Sequence, residues 1–223
     1  VVWATGWRPY DANKIQPYGY DRYQNVITSL EFERLCDPRG PTGGKILRPS
    51  DGKAPARVAF VQCAGSRDVN HLPYCSGVCC LASLKQATYV KDQLPETEVT
   101  MYYIDRRTPG RNEDVLVKVA AREGVHLVKG KVGRIEQLNG SLKLRVEDVE
   151  AERVLDAEAD LVVLATGMMP SAARDNMPLF TRKDEDGFLL DDPGARITVA
   201  GVARRPEDVA ASVRDATGAA ARA

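Results

Sequence analysis

The chain has 223 residues, enough for one large domain or two small ones with a sizeable core. Thirty-one basic residues balance thirty-one acidic ones, so no charge excess argues for nucleic acid or an anionic membrane surface. Hydrophobic residues make up 43% of the chain, yet no apolar run approaches the roughly 20 residues of a membrane span; any membrane link is expected to come through a partner.

The opening stretch VVWATGW reads as a buried strand, Val1 to Thr5, at the end of a βα unit. Residues are therefore expected to precede Val1, and no signal peptide is expected in what is present. From Trp7 to Pro55 the chain is rich in Pro, Gly and turn residues, a meandering connection with one short helix near Ser29 to Cys36. Arg57 to Gln62 is a predicted strand. A helix follows from about Ser76 to Gln93, since Cys80, Leu84, Ala87, Val90 and Leu94 recur at helical spacing and Pro95 stops it. Glu98 to Ile104 is a β-branched and aromatic strand.

Asn112 is expected to cap the next helix, with Glu113 and Asp114 in its first turn and Gly124 ending it. Val125 to Val128 is a strand. Val132 to Asp148 reads as a hairpin about Asn139-Gly140. Ala159 to Gly167 and Arg196 to Gly201 are two further strand ends, and Pro206 suits the first turn of a final helix, Glu207 to about Ala221. Alternating strands and helices argue an α/β fold with a parallel sheet. "WATGW" at Trp3 to Trp7 is echoed by "LATGM" at Leu164 to Met168, as if one α/β domain were inserted between two pieces of another.

The chemistry concentrates between the strand ending at Gln62 and the helix after it. A dinucleotide-binding unit would place a glycine-rich phosphate loop there. This chain places Cys63, Cys75, Cys79 and Cys80, with eleven, three and no residues between them. Five cysteines, four of them crowded into eighteen positions, do not resemble a disulfide scaffold, and reduced thiols in a cytoplasmic setting are expected. Four thiolates from a loop and a helix start suit an iron–sulfur cluster. Zinc, a redox dithiol and plain structural cysteines are the alternatives, although zinc favours paired short knuckles. Gly65 and Gly77 lack the Gly-x-Gly-x-x-Gly spacing and read as turn glycines, which argues against NAD(P) binding. His71 is expected to be a loop histidine, His126 structural and Cys36 a bystander. Arg106-Arg107 read as a solvated turn or an anion contact.

The second candidate is ITVAGVARRPEDVAASVRDA. A strand ends at Ala200-Gly201, and a helix begins near Pro206-Glu207 with its amide donors directed back at that end. That suits a phosphate or flavin edge as well as it suits an ordinary strand–loop–helix. No catalytic residue is assigned by the residues themselves.

The stretch FVQCAGSRDVNHLPYCSGVCCLASLKQATYVKDQ resembles the cysteine insertion in the family of heterodisulfide reductase A subunits. With YYIDRRTPG, VVLATGMMP and VAGVARRPEDVAASVRDATGAA, the resemblance covers nearly the whole chain and, within that family, is strongest to the A subunit of the quinone-interacting membrane-bound oxidoreductase. It implies a thioredoxin-reductase-like fold in which a dinucleotide-type domain interrupts a FAD domain. Residues 1–8 would end the first FAD segment, 9–55 connect, 56–165 form the dinucleotide-type domain with its cysteine insertion, and 166–223 close the FAD domain. The family's FAD glycine loop would lie before Val1. FAD would meet Ala200, Gly201, Pro206 and Glu207; Val202 stands where many relatives carry Asp. A 4Fe–4S cluster would sit on Cys63, Cys75, Cys79 and Cys80.

The function implied is a cytoplasmic flavin and iron–sulfur subunit, peripheral to the inner membrane through partner subunits. It would relay electrons between a quinone pool and adenylylsulfate reductase. Alternatives are a heterodisulfide reductase A-like subunit, a pyridine-nucleotide disulfide oxidoreductase with a catalytic cysteine pair, and a non-catalytic assembly module.

Overall fold

The structure, a computed structural model, describes residues Val1–Ala223. The first half of the chain holds β1 (Val2–Trp3), β2 (Trp7–Pro9), β3 (Val26–Thr28), α1 (Ser29–Cys36), β4 (Arg57–Ala64), α2 (Cys79–Gln93) and β5 (Glu98–Tyr103). Next come α3 (Glu113–Ala120), β6 (Val125–Leu138), β7 (Ser141–Asp148), β8 (Arg153–Ala159) and β9 (Leu161–Thr166). The chain closes with β10 (Met168–Pro170), β11 (Thr198–Val199) and α4 (Val209–Arg222). Two compact units result: Val1–Tyr10 with Ser66–Val78 and Gly167–Ala223, and Asp11–Gly65 with Cys79–Thr166.

The second unit is built on a seven-stranded sheet in the order β3-β9-β4-β5-β6-β7-β8. Strands β3, β9, β4, β5 and β6 pair in parallel. β6 then turns through Asn139-Gly140 into β7, and β7 into β8, both antiparallel. Asn139 and Gly140 both have positive φ, 52° and 84°, the conformation a two-residue hairpin turn requires. The sheet is therefore mixed: a parallel half of nucleotide-domain type and an antiparallel meander. The expected strand at 125–128 does not stop there, because its pairing passes from β5 to β7 along one continuous strand.

Leu161 to Thr166 is buried throughout, and so is nearly all of β4, as befits strands inside a sheet covered on both faces. Val58 and Phe60 of β4, Val99 and Met101 of β5, and Val163 of β9 share one core with Leu84, Ala87 and Val90 of α2 and Phe32 and Leu35 of α1. Residues 11–55 thus supply β3 and α1 to this sheet, beyond the loops that their Pro and Gly content indicates.

The first unit is smaller in regular structure. β1 and β11 pair in parallel, and β2 pairs antiparallel with β10. Ala172, Leu189, Val199 and Ala203 form its buried core, with Trp3 and Met177 packed against them. The Trp3 indole donates to Thr181 Oγ1 (3.0 Å). No helix in the structure is long and apolar enough to cross a membrane.

Candidate functional site

In the second unit three of the four cysteines stand at the carboxyl ends of the parallel strands. β4 carries Val58, Phe60 and Gln62 on the face covered by α2, since side chains alternate along a strand. At Cys63 the backbone turns left-handed (φ 55°), and the pairing with β9 slips between Val61 and Ala64. A bulge of this kind ends a regular ladder and re-aims the side chain next to it. α2 begins at Cys79-Cys80, where first-turn amides lack helical partners and the dipole is positive. The Cys79 thiol donates to the Thr166 carbonyl at the end of β9 (3.7 Å). The Cys80 thiol donates to the carbonyl of Asp105, just past β5 (3.6 Å). Thiols therefore reach the ends of three neighbouring strands, β9, β4 and β5. That is where ligands of open α/β sheets bind.

The helix expected from Ser76 starts at Cys79 instead. Ser76 is committed elsewhere and Gly77 has φ 75°, which breaks the helical run.

Cys75 lies in the first unit, on the loop 66–78, and this loop is tied down by its own hydrogen bonds. Ser76 Oγ accepts from the Met168 backbone N–H (2.7 Å) and shares a hydrogen bond with Ser66 Oγ (3.1 Å). Tyr74 donates its hydroxyl to the Met168 carbonyl (2.9 Å) and stacks edge-on against Phe188. Burial, with the charges of Asp186 and Asp184, holds the Tyr74 hydroxyl protonated well above the usual phenol range. His71 Nδ1 bonds the Tyr10 hydroxyl (2.9 Å), which makes it a structural loop histidine. Gly167 is packed so closely here that a Cβ would lie 2.3 Å from Ser66 Oγ. The Gly77 N–H points at Cys75 Sγ (3.4 Å), the kind of donor a thiolate uses. Cys79 follows Cys75 by four positions, so the chain limits their Cα atoms to about 14 Å apart.

None of the five cysteines forms a disulfide, and all are half-buried. No group of three or more His, Cys, Asp or Glu side chains is gathered around one point as a single ion requires. A 4Fe–4S cube takes one thiolate per iron, so its ligands ring the cluster and do not converge. Separate thiols at one sheet edge, beside a helix N-terminus, are a donor set that fits this group. Cys36 is different: it ends α1 and packs against the core. Burial, reinforced by the charge of Glu33, pushes its thiol up to about 12.

The closing segment of the first unit is built on β1 and β11, whose carboxyl ends lead to Thr5-Gly6 and Ala200-Gly201. Ala200 is buried and its N–H donates to the Trp3 carbonyl (2.8 Å). Gly201 has φ 62°, and its N–H is taken by Asp215 of α4 (2.7 Å), which also holds Arg204 (3.2 Å). The last helix begins at Val209, not at Pro206-Glu207. Asp208 caps it by accepting from the Ala211 N–H (2.7 Å), and Pro206 and Glu207 stay in the preceding loop. One Glu207 oxygen accepts from Arg205 (2.5 Å), while Oε2 is buried without a partner. Thr5 Oγ1 is likewise buried and unpartnered. Two orphaned oxygens in this unit fit a hydroxyl-bearing ligand such as the ribityl or ribose part of a flavin. The Gly201 amide, already bonded to a carboxylate, does not serve a phosphate.

Sequence reading misses three of these residues. Asp215 lies mid-helix with no local signal, Thr5 is visible only as part of the Ala-Thr-Gly echo, and Gln62 passes for an ordinary strand residue.

The fold is of the thioredoxin-reductase type. The structure superposes on thioredoxin reductase from T. acidophilum with a TM-score of 0.60 at 16% identity, covering 100% of this chain and 64% of that one. The enzyme from Lactococcus lactis gives 0.59 at 15% identity, covering 100% and 62%. No family model matches the chain. Among curated proteins, the chain is 40% identical over 237 residues to the A subunit of the H(2):CoB-CoM heterodisulfide,ferredoxin reductase of Methanothermobacter marburgensis, a match that covers 100% of this chain and 36% of that protein. It is 38% identical over 235 residues to the iron-sulfur A subunit of the CoB--CoM heterodisulfide reductase of Methanocaldococcus jannaschii, covering 99% and 36%. It is 35% identical over 226 residues to the A subunit of the ferredoxin/F(420)H(2)-dependent CoB-CoM heterodisulfide reductase of Methanosarcina acetivorans, covering 96% and 28%. The chain thus spans about a third of the length of these relatives.

Proposed function

We propose that the chain is part of a flavin-dependent oxidoreductase subunit of the heterodisulfide reductase A kind, which passes electrons between protein partners. The observation that carries this reading is the replacement of a phosphate loop by thiols at the β4–α2 junction. Cys63, Cys75, Cys79 and Cys80 would hold a 4Fe–4S cluster there. Ala200, Gly201, Pro206 and Glu207, with Thr5, would line the flavin, Thr5 and Glu207 meeting its hydroxyls. Such a pair converts between one- and two-electron transfer when both groups are bound.

The chain's own residues supply the setting. The helix α2 N-terminus favours negative charge at Cys79 and Cys80. The Gly77 amide steadies Cys75. The loop bonds of Ser66, Tyr74 and Ser76 hold Cys75 in place against Met168.

The relatives named above support heterodisulfide reductase chemistry over a relay between quinone and adenylylsulfate reductase, which none of their names carries. Partner subunits, and a cytoplasmic position peripheral to a membrane, belong to the same proposal. A second reading, a pyridine-nucleotide disulfide reductase, is favoured by the fold likeness alone. Anaerobic stopped-flow mixing of the full-length protein with NADPH separates the two. We expect the flavin band to persist; rapid, saturable bleaching would establish the nicotinamide-linked reading instead.

A further inference from the structure

Gln62 is 6% exposed, and neither its side-chain nitrogen nor its oxygen has a hydrogen-bond partner. It continues the row Val58-Phe60 on the α2 face of β4, beyond the last apolar position. On α2, Cys80 stands one turn before Leu84 and ends the stripe that packs on that face. Gln62 and Cys80 therefore line one recess at the carboxyl edge of the sheet, walled by Leu84, Met101, Leu116 and Leu127 and, at Tyr103, Arg106 and Thr108, by polar side chains. The recess has room for about 10 Å³ of solvent, one water at most. A substrate does not fit, so a buried amide here answers to something already in the wall.

We infer that the Gln62 side-chain amide is a positioning residue that donates a hydrogen bond to Cys80 Sγ when that sulfur ligates the cluster. The inference rests on the proposed cluster. The Asp105 carbonyl, to which the Cys80 thiol donates, is an acceptor and serves a protonated thiol only. A thiolate needs a donor: the Arg106 guanidinium at this recess lies over the Tyr103 ring (5.1 Å), whereas the buried amide of Gln62 has its N–H groups unused. Hydrogen bonds to cluster sulfurs stabilise the more negative, reduced form and raise the reduction potential.

The test is an EPR-monitored redox titration of the anaerobically purified full-length protein beside Gln62→Met and Gln62→Glu. Pulsed EPR is added on wild type carrying ¹⁵N in its glutamine side chains. Iron content is expected to be unchanged in both variants, with the midpoint shifted to lower potential and further in Gln62→Glu. Wild type should show a side-chain nitrogen coupling that Gln62→Met lacks. An unshifted midpoint at full iron content overturns the role of Gln62 and leaves the cluster intact. So does the absence of the coupling in wild type, even if a variant fails to fold. Wild-type protein without iron overturns the cluster and this inference together.

Discussion

Ser76 shows how much of the candidate site depends on single polar atoms. It is 1% exposed, and its hydroxyl serves both the Met168 N–H and Ser66. Ser76→Ala leaves a buried N–H unpaired, which costs about 1–3 kcal/mol. We expect chemical denaturation to show a loss of that size, with faster hydrogen exchange at Met168; an unchanged midpoint would mean that water replaces the hydroxyl without cost. The sequence displays Ser76 only as a helix residue, because its spacing suits the stripe that follows. Its true partners are 10 and 92 positions away. Gln62 is hidden for the opposite reason. A polar residue at a strand end reads as solvent-facing, and only the fold reveals that α2 covers it. The cysteines, by contrast, are legible because type and spacing carry their chemistry.

At the scale of elements, local signals are read best. α1 runs from Ser29 to Cys36 as its sequence indicates, because Thr28 and Glu31 form a reciprocal cap. Thr28 Oγ1 accepts from the Glu31 N–H (3.3 Å), and Glu31 accepts from the Thr28 N–H (2.6 Å). Thr28→Ala removes half of this box and should cost about 1 kcal/mol. A urea titration beside Thr28→Ser, which keeps the hydroxyl and should stay near wild type, checks that figure; equal losses would assign the effect to the methyl group. The Asn139-Gly140 hairpin is legible for the same local reason. β2 and β10 are not, since each is three residues long and exists only through pairing with the other. β8 is missed because its alternation, Arg153 to Ala159, is mostly polar and gains a buried face only against β7. α4 starts late because Asp208 is a better cap than the residues before Pro206.

At the scale of the whole molecule, the chain passes between its two units at 10/11, 65/66, 78/79 and 166/167. The two Ala-Thr-Gly turns lie near the first and last of these, so the echo in sequence marks where one unit interrupts the other. The cysteines crowd the middle pair: Cys63 comes just before one passage, Cys75 lies on the loop between, and Cys79 follows the other. We propose that these thiols form one cluster site. Its most direct measurement is iron and acid-labile sulfide in full-length protein purified without air, comparing wild type with Cys80→Ser and Cys36→Ser. We predict about four irons and four sulfides fewer in Cys80→Ser than in wild type, and no difference between Cys36→Ser and wild type. Equal iron in wild type and Cys80→Ser, or none in either, would contradict the assignment.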